Sequence, residues 1–126
     1  MFWKLLKGIL SSFYLVMVPS CLLSDTAIST YLNDGMSSYD RANYSNALEN
    51  WKKASDLGNK EADFLLGFLY DGVLQNDEEA FFYFKKAALS GHIQAQVNVG
   101  ARYELGEGTK KNNEKAKFWY TKAAYN

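Results

Sequence analysis

The side chains able to do chemistry are few, and their spacing decides most of what they can do. The 126-residue sequence holds one histidine, His92, and one cysteine, Cys21. One of each cannot assemble a Cys/His zinc cluster, and a lone cysteine closes no disulfide within the chain. No Ser-x-x-Lys occurs, so the nucleophile–base pair of a serine β-lactamase-like site is missing. Gly106-Glu107-Gly108-Thr109-Lys110 has the glycines and lysine of a phosphate loop. It lacks the four-residue spacer before Gly-Lys-Ser/Thr and follows a helical stretch rather than a strand, so it reads as a turn between helices. Asp77-Glu78-Glu79 reads as a solvated first turn, where the helix dipole favours acids. Asn43-Tyr44-Ser45 matches a glycosylation sequon, of consequence only in a eukaryotic secretory pathway. The sequence predicts no catalytic residues, no metal site and no cofactor.

Composition narrows the classes further. Fourteen basic residues balance fourteen acidic ones, which argues against a nucleic-acid partner held by bulk positive charge. With 48% hydrophobic and 22% charged residues the chain is an ordinary globular one, of a length suited to a single domain. A single proline and 16% aromatics exclude a disordered or low-complexity chain.

The first twenty residues differ from the rest. Lys4 and Lys7 give a basic start, Ile9 to Val18 is apolar apart from Ser11 and Ser12, and Pro19 breaks the run. A basic start, a short apolar stretch and a small residue before a break describe a secretory signal, here residues 1–20. The stretch is at the low end for a spanning helix, which needs about 20 apolar residues. Val18-Pro19-Ser20-Cys21 resembles a bacterial lipobox, with Pro19 departing from the usual small residue. Three outcomes stay open: ordinary cleavage after Ser20, lipid attachment to Cys21, or an uncleaved anchor. A lone thiol in an oxidising compartment is a liability unless modified, which favours the lipid. Removal of Lys4 and Lys7 leaves a weakly acidic body, so an acyl chain or the signal itself is the only membrane handle. The expected location is the periplasm, or a membrane to which the lipid holds the protein.

The remainder repeats itself. Ala62, Gly67 and Tyr70 recur at one constant offset as Ala95, Gly100 and Tyr103. Ala80, Ala87 and Ala88 recur as Ala116, Ala123 and Ala124, with three extra residues in the Gly- and Asn-containing loop between the two halves. Upstream, Ala47, Trp51, Ala54 and Gly58 line up with Ala80, Phe84, Ala87 and Gly91. Each unit reads as two helices, A and B. Gly58-Asn59 and Gly91-His92 stop one helix and start the next, and Asn76 and Asn113 are placed to cap the B helices. Alanines seven apart, among them Ala54, Ala87 and Ala123, give each B helix a small-residue seam for close approach. Trp51, Phe84 and Tyr120 then fill the gap between helices as core residues. Gly67 and Gly100 share a mid-helix position where glycine costs about 1 kcal/mol, which implies a neighbour too close for a side chain.

The stretch from Ala95 through Gly100, Tyr103, Gly106 and Gly108 to Ala116, Trp119, Tyr120, Ala123 and Ala124 resembles a nearly complete Sel1-like repeat. Ala62 to Gly91 is similar to a shortened second copy, and Tyr39 to Gly58 is closer to a tetratricopeptide repeat. The expected units are residues 25–58, 59–91 and 92–126, in an all-α solenoid of about three helix-turn-helix repeats. The resemblance implies an exported, non-catalytic scaffold for an unidentified protein partner. A hydrolase acting on cell-wall or antibiotic material, and an immunity- or inhibitor-type protein, are the alternatives. A helices usually line the binding face of such solenoids, and helical spacing sets Leu65 and Leu69 on one stripe with Asn98 and Arg102 at the aligned positions. These four are the expected partner-binding residues. The third unit is expected to expose some of Val97, Ala101, Phe118 and Tyr125, which suggests self-association there.

Overall fold

The computed structural model describes residues 20–126, and every regular element among them is an α-helix. In chain order these are α1 (Ser20–Asp40), α2 (Tyr44–Asp56), α3 (Lys60–Gly72), α4 (Asp77–Leu89), α5 (Ile93–Leu105) and α6 (Asn113–Ala124). Each helix packs on its neighbours in sequence, which gives an α solenoid of three helical hairpins, α1–α2, α3–α4 and α5–α6. The expected export segment lies outside the described residues up to Ser20, which opens α1.

The helices begin where a side chain can satisfy an amide that has no intrahelical acceptor. Asn43, Asn59, Asn76 and Asn112 accept from the backbone N–H of Asn46, Ala62, Glu79 and Lys115 at 3.3, 2.8, 3.1 and 3.0 Å. The cap of α6 is thus Asn112, whose backbone is extended, and not Asn113, which is already helical. His92 takes the same role in α5, its Nδ1 accepting from Ala95 N–H at 3.2 Å. After α2 and α4 the chain reverses through Gly58 (φ +85°) and Gly91 (φ +86°), a left-handed conformation that favours glycine.

One contact recurs in all three hairpins and sets how closely A and B helices approach. A Cβ built on Gly67 would stand 2.6 Å from the Phe84 ring, and one on Gly100 would stand 2.8 Å from the Tyr120 ring. Gly35 stands in the same relation to Trp51. The missing side chain in the A helix is the space occupied by the aromatic of the B helix. Phe84 and Trp51 are buried there, while Tyr120 keeps one edge open and donates its hydroxyl to Glu104 at 2.8 Å. Ala54, Ala87 and Ala123 are buried at the seam, as are Leu66 and Val99 on the A helices. Each large apolar side chain so buried contributes about 1.5–3 kcal/mol, which the short hairpins need because none buries a core alone.

Polar contacts tie hairpin to hairpin. Asp63 is buried in α3, where it accepts from the Ser55 hydroxyl of α2 and pairs with Lys86 of α4 at 3.1 Å. The equivalent buried residue of α5 is Gln96, whose amide nitrogen donates to the Ala88 carbonyl at 3.2 Å. Asn126 donates to the Gln96 side-chain oxygen at 2.9 Å. Arg102 of α5 reaches back to Asp71 and Asp77 at the α3–α4 junction, with its guanidinium 5.2 Å from the centre of the Phe84 ring.

Candidate functional site

The residues with chemical potential are held in structural roles. Both ring nitrogens of His92 are engaged, Nδ1 by the helix cap and Nε2 by Glu61 at 3.0 Å, and its ring stacks on Phe64 at 4.2 Å. Gly108 lies against the start of α4, where a Cβ would collide with the Asp77 carbonyl, and Gly106 ends α5 in a left-handed conformation, so the two glycines serve packing and the turn. The grouping nearest to a nucleophile and base is one that the sequence reading missed. Lys86 Nζ donates to Ser55 Oγ at 2.6 Å, but that hydroxyl is buried and its own proton points to Asp63. Asp63 Oδ1 meets both Ser55 and Lys86, and the arrangement fastens α2, α3 and α4 together. Ser55 and Lys86 are far apart in sequence, so no local motif could have shown them. Among the described residues no group of three or more His, Cys, Asp or Glu is placed to hold a metal ion. No helix among them is long and apolar enough to cross a membrane. Cys21 is exposed in the first turn of α1, and Val18 and Pro19 lie outside the described residues.

What remains is surface, and the structure divides the four expected partner-binding residues. Leu65 and Asn98 are half-buried on the open side of α3 and α5. Leu69 is fully buried, packed with Ala47, Trp51 and Leu66, and Arg102 is only 5% exposed with its charge committed to Asp71. Both therefore leave the list of groups that a partner can touch. The reason is angular. Four residues along a helix advance by about 400°, or 40° beyond a full turn, and here that carries the side chain from the open side onto the preceding hairpin.

Two exposed residues take their place. Phe68 of α3 is 51% exposed and Met36 of α1 is 42% exposed. Each directly follows the glycine of its A helix, as Ala101 follows Gly100. Because that glycine points at the B helix, the next residue, about 100° further round, points away to the side. Met36, Phe68 and Ala101 thus form one row across three successive A helices, flanked by Asn33, Leu65 and Asn98. The signal was available in the sequence as a residue type one place after each glycine, but it needed the direction of the glycine to be known. Of the residues expected to be open in the third hairpin, Val97, Phe118 and Tyr125 are exposed and Ala101 is half-buried.

Comparison with known proteins places this architecture. The Sel1 repeat pattern matches residues 31–59, 60–92 and 93–126. A crystal structure of a Sel1 repeat protein from Oxalobacter formigenes superposes with a TM-score of 0.67 and 27% identity, over 86% of this chain and 92% of that one. Two curated proteins are similar over part of their length. Chitin synthase regulatory factor 4 of Schizosaccharomyces pombe is 30% identical over 78 residues, which is 59% of this chain and 12% of that protein. DAP3-binding cell death enhancer 1 of Rattus norvegicus is 38% identical over 74 residues, which is 58% of this chain and 14% of that protein. The matched region is thus a small part of either relative.

Proposed function

The chain belongs to the Sel1 repeat family, whose repeats indicate a protein–protein interaction scaffold, and from that premise we propose that it binds a protein partner along the open face of its A helices. The observation that carries this reading is the row of Met36, Phe68 and Ala101, two of them large and exposed, with the half-buried Leu65 and Asn98 beside them. An apolar ridge with an amide at one side suits a segment that presents a few apolar side chains and one polar end. The names of the two curated relatives, a regulatory factor and a DAP3-binding protein, support a binding role over a catalytic one. In this reading the chain itself contributes no catalysis. Residues 1–20, with their basic start and apolar run ending at the lipobox-like Val18-Pro19-Ser20-Cys21, support an exported protein in a bacterial cell envelope.

The test compares two affinity captures, one with the full chain and one with a Met36→Asp/Phe68→Asp variant of equal thermal stability. A partner retained by the first and lost by the second is the expected result. Recovery of the same proteins by both would remove the A-helix face from the function.

A further inference from the structure

The B helices carry a second exposed surface, independent of the A-helix row. On α4 the residues Glu78, Phe82 and Leu89 are exposed; on α6 the aligned residues are Glu114, Phe118 and Tyr125. The exposure of the two phenylalanines is nearly the same, 57% for Phe82 and 58% for Phe118. Phe82 has a hairpin on either side of its own, so this openness belongs to the position and not to the edge of the stack. On α2 the aligned residues are Glu49 and Asp56, and the apolar stripe stops there.

The charges along α6 make this stripe complementary to itself. Glu114, Phe118 and Lys122 follow at intervals of four residues, which brings them to one side of the helix, with Tyr125 in the next turn. A second α6 laid antiparallel, with Phe118 opposite Phe118, sets Glu114 opposite Lys122 at both ends of the contact. Lys122 already lies over the Phe118 and Trp119 rings, at 5.9 and 5.3 Å, and so is held beside the apolar residue it would flank. A parallel arrangement would instead set Glu114 against Glu114 and Lys122 against Lys122, at a cost in repulsion. On α4 the aligned lysine, Lys86, is turned inward to Asp63, which leaves α6 as the helix that supplies the charges.

We propose that two copies of this chain associate through the outer faces of their B helices, α6 antiparallel to α6 about a two-fold axis at Phe118. Glu114 of each copy meets Lys122 of the other, and Phe82 and Tyr125 extend the apolar contact. A closed two-fold contact of this kind uses the same patch twice and leaves both A-helix faces free.

Sedimentation equilibrium of the full chain between about 1 µM and 1 mM tests it, with circular dichroism as the check on folding. The expected result is a monomer–dimer equilibrium, weakened by Phe118→Glu on the order of a hundredfold because two rings are replaced by facing carboxylates. Glu114→Lys is expected to weaken the dimer about tenfold, since it sets lysine against lysine at both ends. The double variant Glu114→Lys/Lys122→Glu restores the pairing and returns the dimer to near wild-type strength. That rescue separates an antiparallel contact from any other, because within one chain these two residues lie two turns apart. A monomer at every concentration overturns the proposal and leaves the face to a different protein. A dimer indifferent to Phe118→Glu, or weakened by Glu114→Lys without rescue, overturns the arrangement.

Discussion

Substituting alanine at the three A-helix glycines tests the packing on which the whole stack depends. A methyl at Gly67 would stand 2.6 Å from the Phe84 ring. Carbon atoms sit comfortably at about 3.5–4.0 Å, so the ring must retreat by about 1 Å. Phe84 has no free direction in which to do so: Phe64 and Phe68 lie 5.8 and 5.7 Å away centre to centre, and the Arg102 guanidinium lies 5.2 Å away. Alanine improves helix propensity by about 1 kcal/mol, and overpacking of a filled core costs about 1–3 kcal/mol. The balance at Gly67 is a net loss of up to about 2 kcal/mol. Gly35→Ala is expected to behave alike, because Trp51 is buried and its Nε1 donates to the Leu32 carbonyl at 3.5 Å. Gly100→Ala is expected to stay within about 0.5 kcal/mol of wild type, because the Tyr120 ring has an open edge toward which it can swing. Gly67→Leu and Gly100→Leu both destabilise, since an isobutyl group has no space at either position. Urea unfolding of the full chain measures this, with unchanged slopes as the sign that the unfolded reference is constant. If Gly67→Ala gains stability by its propensity alone, the close approach of A and B helices described above is wrong.

Three further outcomes are expected. His92→Asn should lose less stability than His92→Ala, because asparagine restores the cap seen at four other helices while alanine forfeits about 1 kcal/mol of it; equal losses in urea unfolding would show that the Glu61 and Phe64 contacts dominate. Arg102→Leu should be near neutral and Arg102→Ala should cost about 2–4 kcal/mol, since leucine is the residue at the aligned position 69, alanine leaves a cavity, and the exposed Asp71 and Asp77 regain water once unpaired. Thermal melts in which the leucine variant is the weaker would refute that. Burial raises the Tyr83 and Tyr120 hydroxyls above their ordinary value of 10.0, with the Glu104 hydrogen bond adding to it at Tyr120. A raised pKa in the folded state means stability present below the ordinary value and lost as pH rises through the raised one, so the urea midpoint should fall between about pH 8 and about pH 11, less so in a Tyr83→Phe/Tyr120→Phe variant.

The repeats themselves were legible because they rest on backbone requirements that few residues meet. Gly58 and Gly91 take left-handed turns, and Gly67 and Gly100 admit a ring. Such positions tolerate so few alternatives that the same residue returns in each copy. Gly35 escaped because the first hairpin has a different connection: α1 runs on from well before the repeat, and the turn into α2 is a short one through Ala42 at φ +58°. The surface was harder to read. Stripe logic at a spacing of four placed Leu69 and Arg102 with Leu65 and Asn98, and only the direction of the next hairpin shows that the first pair is covered. Ser55, Asp63 and Lys86 were invisible for a simpler reason. They come from three helices, and their meeting is a property of the stacking angle.

A stack of similar hairpins also contains its own controls, and these separate a surface that is open for use from one that is open for want of a neighbour. Phe64 is buried under the hairpin that follows it, whereas Val97 at the aligned position is 46% exposed; that difference marks the edge of the stack. Phe82 and Phe118 show no such difference, and neither do Met36 and Phe68, which are exposed on successive A helices. At the opposite edge, α1 carries exposed Thr30, Asp34 and Ser37 where α3 buries Ala62, Leu66 and Leu69 against its predecessor. Polar side chains thus line that side, and covering α1 would bury the Asp34 carboxylate and the Ser37 hydroxyl at a cost in lost hydration. Exposed aromatics inside the stack have no such explanation: Phe68 stands half in solvent while its inner side packs on Phe64 and Phe84, and nothing about folding requires Phe82 to be large. A polar residue serves the fold at the position of Phe82 on α2, where it is Glu49. Their size and apolar character therefore point to contacts outside the chain: one set on the A helices facing a partner, the other on the B helices facing a second copy.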